Sequence, residues 1–201
     1  MTKRIILAGI LGGILMFVWS SVAHMMTSLP AMGIQEIPNE QPVLAAMQAQ
    51  IGQAHGFYIF PGFGLGPNAT AAQRRAAMGS YQQKLDASPS GMLIYRPAGA
   101  RAMTGGQLGT EFLTELAEAL LVVFLLSRAR LASYASRVGF VIVTGVLAAI
   151  TTNISYWNWY GFPGNYTFGY MLTEIIGFVL LGLLAAAIVK TCANQAVAAT
   201  V

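Results

Sequence analysis

The sequence predicts an all-α membrane protein with four transmembrane helices and a small α+β extracytoplasmic insert between the first and second helices. Of its 201 residues, 56% are hydrophobic and only 9% are charged. Soluble domains carry about 25% charged residues, so this chain lacks the charge to cover a water-facing surface. Its apolar residues also gather in four blocks, each approaching the ~20 residues that a bilayer span needs.

The first predicted helix occupies residues 1–24, and Lys3 and Arg4 precede its apolar stretch. A basic start, an apolar core and the small residues Ser21-Val22-Ala23 also fit a cleavable signal peptide. We interpret the block as an uncleaved membrane anchor and keep cleavage as the alternative.

Residues 109–190 are predicted to form the other three transmembrane helices, which begin near Gly109, Val138 and Phe168. Small residues recur at four-residue spacing in these blocks and in the first one. Such spacing lets two helices approach closely in a membrane. The pairs are Gly9 with Gly13, Gly145 with Ala149, and Gly182 with Ala186.

The orientation follows from the basic residues beside the apolar blocks. The short loop between the second and third helices carries Arg128, Arg130 and Arg137 and no acidic residue. Short loops rich in arginine and lysine stay in the cytoplasm. We therefore expect a multi-pass protein of the plasma (inner) membrane, with both termini and the tail, residues 191–201, in the cytoplasm and residues 25–108 outside it.

The insert, residues 25–108, shows patterns of both helix and strand. Helical spacing of apolar residues predicts a helix from Asn39 to about Ile51, and a second helix is predicted from Thr70 to Leu85. Two short apolar runs, 57–60 and 92–95, are each followed by a proline and are predicted to pair as strands. Because the insert has so many apolar residues, we expect it to lie on the outer face of the membrane or against another protein.

One group of polar residues stands out as a candidate site for a proton, a cation or a partner. Glu111, Glu115 and Glu118 are spaced i, i+4, i+7 and share one helical face. His24 and Glu174 lie at the outer ends of their helices, and Asn153 is a possible hydrogen-bond partner of Glu118. The whole candidate group is His24, Glu111, Glu115, Glu118, Asn153 and Glu174.

Two interpretations of this group are open. In one, an ionisable residue as deep as Glu118 marks a functional site, because placing a charge there costs a few kcal/mol. In the other, which the sequence favours, the outer carboxylates are stabilised by helix dipoles. Glu118 would then be a neutral acid bonded to Asn153, Thr152 or Tyr156.

Aromatic residues mark the predicted outer interface of the membrane. Trp and Tyr prefer headgroup depth, where the ring is apolar and its polar atom is wet. The interface residues are Trp157, Trp159, Tyr160 and Tyr166. Such residues usually anchor the protein in lipid, although they could also contact a quinone or a pigment.

Several classes are disfavoured by the sequence. The basic residues are scattered beside apolar blocks, so nucleic-acid binding is not expected. No metal motif or nucleophile motif is present, and the two histidines, His24 and His55, are not placed for an intrinsic haem. We expect no intrinsic cofactor and no metal site. A single cysteine, Cys192, leaves the chain without an intramolecular disulfide.

The sequence therefore favours a non-catalytic accessory subunit of a larger bacterial-type membrane complex, such as a respiratory or photosynthetic one. Its partners would be other membrane subunits and lipids, with homo-oligomers possible. The alternative is a small oligomeric transporter or ion or proton conductor that uses Glu118 and the neighbouring carboxylates. A membrane enzyme is the least favoured class, because no nucleophile is placed beside a histidine and an acid.

Overall fold

The computed structural model of the protein describes residues 3–189 and is mostly helical. The predicted tail, together with Lys190 and Cys192, lies outside the described residues. A short 3-10 helix, Leu29–Ala31, follows the first helix. The main elements in chain order are α1 (Lys3–Met26), α2 (Glu40–Ile51), β1 (Gly56–Phe60), α3 (Ala71–Ala87), β2 (Gly91–Tyr95), α4 (Gly105–Arg128), α5 (Tyr134–Tyr160) and α6 (Gly164–Ile188).

A helix or a strand forms at each position where one was predicted in this range. The helices α4, α5 and α6 each begin one turn before the start of the apolar block that predicted them, at Gly105, Tyr134 and Gly164. For α4 and α5 the reason is local: polar residues can continue a helix beyond its apolar stretch to a residue that caps its first free N–H groups. Thr104 and Ser133 accept such hydrogen bonds at the starts of α4 and α5.

The chain divides into two compact units, which are described separately. The helical unit contains residues 1–34 and 103–201, and the insert unit contains Gln35–Ala102. The first contains α1, α4, α5 and α6, and the second contains α2, α3 and the two strands.

Three helices of the helical unit, α1, α5 and α6, are long and apolar enough to cross a membrane. The predicted second span, α4, is also 24 residues long. Every stretch of 18 residues within it contains Glu111, Glu115 and Glu118, so its composition alone does not mark it as a span. The structure therefore agrees with a membrane protein and identifies three of the four predicted spans by length and composition.

Within the helical unit, the main packing partners form the series α4–α1–α6–α5, whereas α4 and α5 touch little. Glycines make the close contacts between these helices. A Cβ added at Gly13 of α1 would lie 2.6 Å from the Cα of Leu116 in α4. One added at Gly145 of α5 would collide with Phe178 in α6. The predicted small-residue positions therefore lie at helix contacts, where the absence of a side chain lets the backbones approach.

The insert unit contains the predicted small sheet. Its strands β1 and β2 pair antiparallel, with Tyr58 opposite Leu93. Thr70 and Gln73 form a capping box at the start of α3. Asn39 precedes α2 in a left-handed conformation (φ 51°), and its side chain makes no capping hydrogen bond. No residue between positions 35 and 102 is buried, so this unit has no core of its own in the described structure.

A candidate functional site between three helices

A pocket of about 170 Å³ lies between α1, α4 and α6 in the helical unit. An engineered apolar cavity of about 150 Å³ can hold benzene, so this pocket is large enough for several waters or a small ligand. Its polar lining residues are Ser20, His24, Glu111, Thr114, Glu115, Glu118, Tyr170, Thr173 and Glu174. The remaining lining residues are Met16, Trp19, Gly177 and Phe178.

Helix α4 supplies three carboxyl groups to the pocket. Glu111 is exposed, whereas Glu115 and Glu118 are half-buried. Seven residues of helix separate the first glutamate from the last, or about 10 Å along the axis. The predicted shared face of Glu111, Glu115 and Glu118 is therefore confirmed, and it runs from the mouth of the pocket toward its interior.

Helix α1 supplies the histidine and two residues that hold the wall. His24 is exposed, and its Nδ1 lies 2.9 Å from the carbonyl oxygen of Ser20. A carbonyl only accepts, so in this contact Nδ1 donates, which in the neutral ring leaves Nε2 as an acceptor. Ser20 Oγ also donates to Glu111 Oε1, at 3.5 Å. Trp19 Nε1 donates to the Thr173 carbonyl of α6 at 2.8 Å and fixes the two helices to each other.

Helix α6 supplies Glu174, which is bonded to α5. The Nδ2 of buried Asn153 donates to Glu174 Oε2 at 3.2 Å and to the Ala149 carbonyl at 3.0 Å. The sequence had suggested Glu118 as the partner of Asn153. The amide reaches Glu174 because α5 packs on α6 and hardly touches α4.

One oxygen in the pocket stands out. Glu115 Oε2 is fully buried and has no hydrogen-bond partner among the described residues. A buried polar atom without a partner costs about 1–3 kcal/mol. A proton on this carboxyl group would remove the cost of burying a charge, and a bound donor or cation would pair the oxygen.

The ionisable groups that line the pocket are mostly acidic. Four carboxyl groups and one histidine line the pocket, and no lysine or arginine does. Acidic groups this close together favour the binding of positive charge, since each carboxylate repels the others. Within residues 3–189, no three histidine, cysteine or acidic side chains are arranged to hold a metal ion. The arrangement suits a proton or a small cation held by carboxylates and hydroxyls.

The predicted interface aromatics lie on or beside α5 and α6. Trp157, Trp159 and Tyr160 are exposed on the last turns of α5, as residues in contact with headgroups would be. Tyr166 belongs to a row of rings whose neighbouring centroids are 5.2–6.3 Å apart. The row runs Tyr160, Tyr156, Phe162, Tyr166, Tyr170, His24, so it ends at the mouth of the pocket.

Sequence reasoning thus identified five of the pocket's polar residues but missed several others. Ser20, Thr114 and Thr173 were not singled out, although they line it. A signal was present in α1, where Ser20 and His24 are four residues apart near the end of a largely apolar helix. Their shared face indicates a polar partner, which the structure identifies as α4 and α6.

Comparison of the chain with protein-family models, curated proteins and solved structures finds no match.

Proposed function

We propose that this chain is a four-span membrane protein that binds a proton or another small cation in the pocket between α1, α4 and α6. It would act as a small transporter or conductor. Of the functions expected from the sequence, this was the alternative to an accessory subunit. The observation that carries it is the convergence of four carboxyl groups and His24 on one pocket, with the buried Glu115 Oε2 left without a partner.

The contacts of α4 support its role as the fourth span. It runs antiparallel beside α1, from Gly9 near Leu120 to Ser20 near Glu111. Since α1 has the length and composition of a span, a helix alongside it occupies the same depth. The three glutamates of α4 line the pocket and so avoid the lipid, which is how membrane proteins accommodate such residues.

The pocket suggests a direction of movement for the cation. The exposed residues His24 and Glu111 lie at its mouth, and Glu115 and Glu118 follow on the same face. Neighbours four residues apart on a helix are about 5–6 Å apart, a distance that a side-chain rotation or one water can bridge. The buried Phe178 lies at the inner end of the lining. Passage beyond this apolar end would need a change in helix packing or a second copy of the chain.

The test is cation flux in proteoliposomes that contain the purified chain. We expect a membrane potential to drive proton uptake, measured with an internal pH dye, and Glu118→Gln to reduce the rate at least tenfold. Glu36→Gln removes a carboxylate from the insert unit and serves as the matched control. Flux that is absent in the native chain, or equal in the native chain and Glu118→Gln, would refute the proposed role.

A second candidate, the accessory subunit, is favoured by a different observation. The insert unit leaves several large apolar side chains exposed, including Phe57, Ile59 and Ile94. A unit without buried residues gains stability when another surface covers it. Native mass spectrometry after gentle purification tests this candidate. A stable homo-oligomer or monomer would count against it, and a stoichiometric complex with other subunits would support it.

A further inference from the structure

The end of the helical unit opposite the mouth of the pocket is basic. An added Cβ would meet Leu120 at Gly9 and Leu116 at Gly13, so α1 and α4 run antiparallel. Arg4 precedes Gly9 by five residues and Arg128 follows Leu120 by eight, or about 8 and 12 Å of helix. The first turn of α1 and the last turn of α4 therefore lie at the same end.

Four cationic side chains are exposed at this end: Lys3, Arg4, Arg128 and Arg130. The helical unit has no acidic residue near them. Its carboxylates within the described residues are those of the pocket, and the nearest in sequence is Glu118, ten residues before Arg128. Within the described residues of the helical unit, no carboxylate therefore balances the charge at this end.

A fifth basic residue, Arg137, is buried and makes internal hydrogen bonds. Its Nε and Nη2 donate to the Ala186 carbonyl at 3.2 and 3.1 Å, and its Nη1 donates to the Ala132 carbonyl at 3.0 Å. These bonds tie the loop, residues 129–133, to the end of α6. Leu131 in that loop also packs against the apolar core. The loop that carries Arg130 is therefore held in place.

We propose that Lys3, Arg4, Arg128 and Arg130 form a binding surface for the phosphate groups of anionic phospholipids. A guanidinium group matches the geometry of a phosphate, and basic side chains beside a bilayer are attracted to anionic lipid. The surface lies where the apolar part of the bundle ends, which is the depth of the headgroups. This inference does not depend on the proposed cation transport.

Lipid binding to the full-length chain tests the proposal. Delipidated protein in neutral detergent is titrated with phosphatidylglycerol or phosphatidylcholine, and bound lipid is counted by native mass spectrometry. Each basic residue near an anionic surface is worth about a fivefold change in affinity. Arg128→Gln with Arg130→Gln should therefore weaken phosphatidylglycerol binding about 25-fold and leave phosphatidylcholine binding unchanged.

Two further variants make the result specific. Arg74→Gln with Arg75→Gln removes the same charge from the insert unit and should leave binding unchanged. Arg128→Lys with Arg130→Lys keeps the charge but removes the planar guanidinium groups, so it should weaken phosphatidylglycerol binding less than the glutamine variant does. This comparison separates loss of charge from loss of folding. The proposal fails if both lipids bind equally, if the insert variant loses as much binding, or if inorganic phosphate displaces phosphatidylglycerol at equal phosphate concentration.

Discussion

Single glycines decide how closely α1 approaches α4. Gly13 is buried, and a Cβ there would lie 2.6 Å from the Cα of Leu116 and 3.2 Å from its backbone nitrogen. A backbone cannot turn aside as the end of a side chain can, so the helices would have to separate. That separation would also widen the pocket wall, which both helices share.

We expect Gly13→Ala to lower the free energy of unfolding by about 1–3 kcal/mol, the usual cost of overpacking a well-packed contact. The measurement is thermal unfolding in detergent, followed by circular dichroism. Gly139→Ala in α5 is the matched control, because nothing lies within 4 Å of its added Cβ. That variant should be neutral or slightly stabilising, since alanine favours helix. Equal effects of the two substitutions would contradict the tight contact.

At the same scale, the sequence predicts faces but not partners. The spacing of Glu111, Glu115 and Glu118 was enough to place them on one face. The partner of Asn153 could not be predicted, because the bond to Glu174 depends on α5 packing against α6. The helical period shows on which side of its own helix a residue lies. It does not show which other helix packs against that side.

Among the secondary-structure elements, α3 depends strongly on its own local signals. None of its residues is buried, and it begins with the reciprocal capping box of Thr70 and Gln73. Packing contributes little burial here, so the cap is a large share of what holds the first turn. In α1 or α6, by contrast, helix–helix contacts would compensate for a weak end.

Thr70→Ala should therefore destabilise the start of α3 by about 1 kcal/mol, the usual value of an N-cap. Hydrogen exchange read by mass spectrometry should show about fivefold faster exchange in a peptide that covers the first turn of α3, and no change in α5. Ser80→Ala, which removes a hydroxyl that bonds only to the Ala77 carbonyl within the same helix, is the control. If the first turn of α3 exchanges hydrogen at the same rate in Thr70→Ala and in the native chain, the cap does not stabilise this turn.

The elements themselves were largely predictable from the sequence, and their arrangement was not. Hydropathy and turn residues gave the helices and the paired strands because those signals are local. The series α4–α1–α6–α5 depends on the shapes of whole helix surfaces, such as Gly145 against Phe178. The glutamates of α4 line the candidate site. The same glutamates make the composition of α4 unlike that of a membrane span.

For the whole molecule, the helical unit is polarised along its length. The mouth of the pocket gathers His24 and carboxyl groups at one end, and the exposed arginines lie at the other. Basic residues remain on the cytoplasmic side of a membrane. If the basic end faces the cytoplasm, we expect α4 to cross the membrane, because otherwise α5 would begin on the side where α1 ends.

Cysteine labelling in intact cells distinguishes four spans from three. In a Cys192→Ser background, Ser80→Cys reports on the insert, Ala132→Cys on the loop after α4, and Trp159→Cys on the end of α5; all three positions are exposed. With four spans, a membrane-impermeant maleimide should label Ser80→Cys and Trp159→Cys, and should label Ala132→Cys only after permeabilisation. If α4 does not cross, Ala132→Cys should be labelled in intact cells and Trp159→Cys should be protected. The two topologies predict opposite labelling at both Ala132→Cys and Trp159→Cys. Failure to label one of these sites therefore cannot be mistaken for the other topology.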